Sequence, residues 1–184
     1  MRALLRSPLS LAILTACTGG SPEPPGQSGR LEARWTGADT GAMAATATAE
    51  WCDKRRALEI RGVQGDTGLA LVLYPVDSIE ADTYRVVQPD GADTLAPAAG
   101  IGLRLFKSNA IQGYQGDSGS VVLERAESGE LSATLSARAR SVVNGQLVTL
   151  SGSVQGLTVV PQGRGCRPEP AADSADTMPT TPRE

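Results

Sequence analysis

The segment Glu130–Arg140, "ELSATLSARAR", alternates strictly. Leu131, Ala133, Leu135, Ala137 and Ala139 fall on one side, and Ser132, Thr134, Ser136, Arg138 and Arg140 on the other. Successive side chains of a strand point to opposite faces, so this pattern predicts a strand with one buried and one solvated face. Asn144-Gly145 follows and reads as a two-residue hairpin, with "QLVTLSGSVQG" as the return strand and "LTVV", Leu157 to Val160, after it. The same period predicts strands at Leu31–Thr36, Ala42–Cys52, Ala57–Arg61, Leu69–Tyr74, Thr83–Val87, Ile101–Phe106 and Gly119–Glu124. "LALVLY", Leu69 to Tyr74, is apolar on both faces and is expected to be the most buried. Glycine, proline and aspartate break the pattern at "YPVD" and "QPDGAD". No segment has the spacing of an amphipathic helix. Nine or ten short strands with tight turns predict one all-β domain over residues 30–166, either an antiparallel β-sandwich or a flattened up-and-down β-barrel.

Composition sharpens this picture. The 184 residues suffice for one domain with a core. That core must be aliphatic, because aromatic residues make up only 3% of the chain. Trp35 and Tyr114 are the two aromatics expected nearest the surface. The net charge is −3 and becomes more negative without residues 1–16, which carry Arg2 and Arg6. An acidic domain repels phosphate backbones, so no nucleic-acid partner is expected. Histidine is absent from the sequence. Catalytic schemes and metal sites that depend on histidine are therefore excluded.

The first residues read as an address rather than as structure. "MRALLRSPLSLAILTAC" has a basic start, a short apolar run and small residues before Cys17, the pattern of a secretory signal over residues 1–16. Leu14-Thr15-Ala16-Cys17 resembles the lipobox of bacterial lipoproteins. That resemblance covers only the first twenty or so residues. It implies cleavage before Cys17, acylation of Cys17 and attachment to a membrane through the lipid. Several acyl chains on one residue anchor stably where one chain binds marginally. Thr18, rather than aspartate, after the cysteine implies the outer membrane of a bacterial cell envelope. The competing reading is an ordinary signal with an incidental Cys17. Residues 17–29 are rich in proline, glycine and serine and read as a tether, and residues 167–184 as a disordered tail.

Cys52 and Cys166 remain, at either end of the strand-rich region. In an exported chain they are expected to form one disulfide, the alternatives being free thiols or pairing between molecules.

"GDSG", Gly116 to Gly119, matches part of the nucleophile loop of trypsin-like proteases, but the final glycine of that motif and the histidine are missing. A serine without a base is a weak nucleophile. Lys107, with Ser118, is the surviving option for a histidine-free hydrolase. The string also has an echo. Gly65-Asp66-Thr67-Gly68 stands in "IRGVQGDTG" as Gly116-Asp117-Ser118-Gly119 stands in "IQGYQGDSG". Two copies suggest a structural turn used twice, with glycine supplying positive φ and aspartate accepting backbone hydrogen bonds. Asp66 with Asp117, or Asp90 with Asp93, could offer oxygens to calcium, but neither pair has a recognised loop spacing, so no metal or cofactor is expected. The sequence thus points to a lipid-anchored envelope protein whose β-domain has a non-enzymatic binding or structural role. The partner is a protein or small molecule of unspecified kind. A lipid or small-ligand carrier with a barrel cavity, and the Ser118/Lys107 hydrolase, are the alternatives.

Overall fold

The computed structural model describes residues 29–88, 97–107 and 109–161. The signal, Cys17, the tether up to residue 28, Asp90, Asp93, Cys166 and the C-terminal tail lie outside the described residues. Ten strands follow in order: β1 (Gly29–Gly37), β2 (Gly41–Cys52), β3 (Ala57–Gln64), β4 (Thr67–Tyr74), β5 (Asp82–Val86), β6 (Ala98–Lys107), β7 (Ala110–Arg125), β8 (Leu131–Ser141), β9 (Leu147–Leu157) and β10 (Val159–Pro161).

The wall closes on itself. Hydrogen-bonded neighbours run β1-β9-β8-β7-β5-β6-β4-β3-β2, and β2 pairs back to β1 from Gly29↔Ala47 to Trp35↔Gly41. The fold is therefore a barrel of nine strands, not a sandwich, with β10 added outside the ring. Closure removes the free edges that an open sheet of this size would expose. All neighbours are antiparallel except β5 with β6 and β10 with β2.

Alternation built the core as the sequence pattern requires. On β8, Leu131, Ala133, Leu135, Ala137, Ala139 and Ser141 are buried, with Arg138 and Arg140 outside. On β4, Leu69, Leu71 and Leu73 point inward. Ala70, Val72 and Tyr74 are only half-buried on the outer face, so "LALVLY" is not enclosed on both sides as its composition suggested. The inward side chains form one contiguous cluster from β1 to β9. Each large aliphatic member contributes roughly 1.5–3 kcal/mol by leaving water. Trp35 and Tyr114 belong to that cluster, at 4% and 2% exposure, and not to the surface. Gly41 makes room for Trp35: a β-carbon there would lie 2.7 Å from Cε2 of the indole.

Strand direction defines two ends. Gly29, Cys52, the β7–β8 loop and β10 lie at one end, called the base. The β1–β2, β3–β4, β6–β7 and β8–β9 connections lie at the other, the tip. At the base, Arg56 donates through Nη2 to the carbonyls of Val76 and Asp77, both at 2.9 Å, and Arg125 donates to Ile79 O at 2.7 Å. These bonds hold the β4–β5 connection against the wall. Cys52 is disulfide-bonded. At the tip, the β8–β9 loop spans residues 142–146 and is longer than the two-residue hairpin that Asn144-Gly145 suggested. Its closing bond runs from Ser141 N–H to Gln146 O at 2.8 Å, and the buried Ser141 Oγ accepts from the Val143 and Asn144 amides.

Candidate functional site

The two GD[ST]G strings have different fates. Gly65 and Asp66 are the two-residue turn between β3 and β4, flanked by the pair Gln64↔Thr67. Gly65 has φ 53° and Asp66 does not have positive φ, the pattern of a turn with glycine first. Gly68 already belongs to β4. Gly116 to Gly119 form no turn. They sit within β7, where the register with β8 passes from Gly116↔Ala139 to Ser118↔Arg138 and Asp117 is the extra residue of a β-bulge.

The bulge has a structural purpose. β6 and β7 pair only from Lys107↔Ala110 to Gly102↔Gln115; beyond it, β7 pairs with β5 from Ser120 to Asp82's partner Leu123. The bulge is thus where β7 parts from β6 and accepts the inserted strand. Gly116 faces inward, and a β-carbon there would lie 2.8 Å from Val86 Cγ1, at the end of β5. Asp117 Oδ1 accepts from Arg140 Nε at 2.9 Å and from Gln88 Nε2 at 3.2 Å, tying the bulge to β8 and to the chain after β5. Gly119 has φ 123°, and a β-carbon there would lie 2.5 Å from Ala137 Cα.

Ser118 is exposed and carries no base. Lys107 sits at the tip, with Nζ 2.5 Å from Asp39 Oδ2, in an ion pair whose carboxylate is 8% exposed. Ser118 is eight residues down β7 from the partner of Lys107, about 25 Å along the strand. A lysine side chain cannot cover that interval, so the Ser118/Lys107 dyad is not assembled. Asp66 and Asp117 are likewise apart, one in the tip turn and one in the bulge. No group of acids or cysteines that could hold a metal occurs among the described residues.

The tip carries a second polar cluster. Gln112 Nε2 donates to Tyr114 Oη at 2.5 Å. Burial pushes the Tyr114 phenol above its ordinary value of 10.0, with the Asp39 carboxylate adding in the same direction and Lys107 opposing. Trp35 Nε1 is buried and has no hydrogen-bond partner among the described residues.

A further open feature lies on the outer wall of β3, β4, β6 and β7. Here a depression of about 770 Å³ is lined by, among others, Val63, Gly68, Gly102, Arg104, Phe106 and Val142. Register explains it. Val63 on β3 is paired with Gly68, Gly68 with Arg104, and Arg104 with Gly113, whose carbonyl accepts from the Val142 amide at 3.0 Å. Arg104 therefore stands on a floor of backbone, a glycine on each side and a valine beyond each glycine. Below it, Gly102 opens outward, with nothing within 4 Å of where its β-carbon would be. Above it, Phe106 pairs with Ile111 across the β6–β7 hairpin. Val63, Val142, Ile111 and Phe106 are 70%, 66%, 57% and 46% exposed. Toward the base, Glu59 accepts from Arg61 Nε at 2.7 Å and forms a longer ion pair with Arg55 at 3.4 Å. The Arg61 guanidinium is pushed up, first by its hydrogen bond to Glu59.

Sequence reasoning missed this site. Its signal was present as a break in binary pattern: Val63, Phe106 and Ile111 are large apolar residues in the polar phase of their strands, and Gly68, Gly102 and Gly113 occupy that same phase. No protein-family model, curated protein or solved structure matches the chain.

Proposed function

We propose that this chain is an exported lipoprotein, anchored through Cys17 in the bacterial outer membrane, whose barrel is a non-enzymatic binding domain that uses the outer depression across β3, β4, β6 and β7. The observation that carries the reading is the depression itself. Three large apolar side chains, Val63, Phe106 and Val142, are exposed around a glycine-lined floor, and contiguous exposed apolar surface of this kind marks interaction sites. The lipobox resemblance of residues 14–17 supports the anchor. Inward side chains form one packed cluster, which favours a site outside the wall over a ligand carried within it.

The test is photo-crosslinking in intact cells. A photoreactive residue at Gln115, which lines the depression, should give discrete adducts, and one at Thr134, on the outer face of β8, should not. Equal adducts from both positions, or none from Gln115, would refute the assignment of this surface. In the same strains, Cys17→Ala should leave the protein without lipid label and out of the membrane fraction; retained labelling would refute the anchor.

A further inference from the structure

We propose that the occupant of the depression is an extended segment of a partner protein that places a carboxylate, flanked by apolar side chains, on Arg104. This rests on the depression being the binding surface, as argued above, and adds the chemistry of what it binds.

Arg104 decides the charge. It is exposed at the centre of the depression, and among the described residues it has no ion-pair partner, whereas Arg55 and Arg61 share Glu59 and Lys107 is held by Asp39. A planar guanidinium with free donors matches a carboxylate bidentately. The flanking glycines leave the guanidinium approachable from both sides, which a neighbouring side chain on β4 or β7 would prevent.

The dimensions decide the class. Val63 and Gly113 are separated by three strand spacings, roughly 15 Å, and the floor is recessed by about one side chain. A single acyl chain would cover a narrow strip of that width. A segment of polypeptide, with apolar side chains reaching Val63 on one side and Val142 on the other, covers all of it. Aromatic residues and arginine are also the side chains that concentrate binding energy at the centre of protein interfaces. A second copy of this chain docked with its two-fold axis through the centre of the depression would bring Arg104 against Arg104, a like-charge contact that a self-complementary interface avoids.

The experiment selects from a random peptide library on the full mature chain and measures the selected peptides against variants. Enriched peptides should share an aspartate or glutamate between apolar residues. Arg104→Gln should weaken them by about ten- to a hundredfold, the loss of one charge-assisted contact, and Arg104→Lys by less. Gly102→Leu, which fills the floor, should weaken them comparably. Both positions face solvent, so unchanged thermal melting of each variant confirms that the fold is intact. Peptides without an acid, peptides indifferent to Arg104→Gln, or no enrichment at all would overturn the acidic partner. If binding is lost in Gly102→Leu but not in Arg104→Gln, the depression stands as the binding surface and only its proposed occupant falls. Two further results would reassign it: concentration-dependent dimerisation abolished by Gly102→Leu, to a second copy, and laurate displacing the selected peptides, to an amphiphile.

Discussion

At the scale of single residues, the string Gly116-Asp117-Ser118-Gly119 separates chemistry from architecture. Its serine is exposed and far from Lys107, while its glycines are sterically required. Gly119 combines φ 123° with β8 backbone packed against the place a side chain would take. Alanine there must both adopt a conformation that L-residues avoid and displace β8. Gly119→Ala is therefore expected to lower the unfolding free energy by about 2–4 kcal/mol, and Ser118→Ala to change it by less than about 0.5 kcal/mol. Urea denaturation followed by circular dichroism measures both. Comparable losses from the two variants would contradict the assignment of these roles.

At the scale of elements, the buried phase of the strands was legible in the sequence and the irregularities were not. The nine strands of the wall follow apolar alternation outside the bulge in β7, because a wall with a dry inside and a wet outside enforces period two. The bulge in β7 was visible only as a phase switch: Tyr114 and Gly116 are buried on even numbers, Val121 and Leu123 on odd ones. Read as a turn, the same residues gave a strand starting at Gly119, whereas β7 starts at Ala110. A glycine pair around an aspartate has the same local preferences in a turn and in a bulge. Long-range pairing decides between them, here β5 entering between β6 and β7. The outer depression was hidden for a related reason. Its residues come from four strands, and only register brings Val63, Gly68, Arg104 and Gly113 into one row.

The inserted strand also gives a pH prediction. Tyr84 on β5 is buried, and its hydroxyl donates to Glu80 O at 3.1 Å. Burial pushes this phenol above 10.0, as it does Tyr114 on β7, with the Asp82 and Glu80 charges adding. Both groups are neutral in the fold and ionise more readily in the unfolded chain. Their contribution to stability is thus fully present below pH 10.0 and is lost as pH rises through the folded-state values. Tyrosinate absorbance should show two phenols ionising late, and the denaturation midpoint should fall as pH climbs above 10. A midpoint insensitive to that range would mean that the two phenols reach water.

At the scale of the molecule, the proposed attachment and the apolar part of the proposed binding surface fall toward opposite ends. β1 begins at the base with Gly29, whereas Val63, Phe106, Ile111 and Val142 lie toward the tip. Strands of about ten residues, tilted as barrel closure requires, hold these ends roughly 25–30 Å apart. A lipid on Cys17 would therefore present the apolar end of the depression away from the membrane. The base is also where the chain is fastened a second time. β10 runs parallel to β2, with Val159 beside Ala49 and Pro161 beside Trp51, so it travels toward the level of Cys52. Only four residues separate Pro161 from Cys166. Cys52 is disulfide-bonded, and with Cys17 committed to lipid in the reading above, Cys166 is its expected partner. Peptide mapping without reductant should recover Cys52 joined to Cys166. Closing a loop of that length restrains the unfolded chain by about 4–5 kcal/mol, less any strain in the fold. Reduction, or Cys166→Ala, should accordingly lower stability by up to that amount. The loss should appear as a lower denaturation midpoint without a change in strand content, because closure of β1 onto β2 and β9 does not depend on the bridge. A protein recovered with Cys166 free, or one whose midpoint ignores reductant, would leave the β10 pairing as the sole fastening at the base.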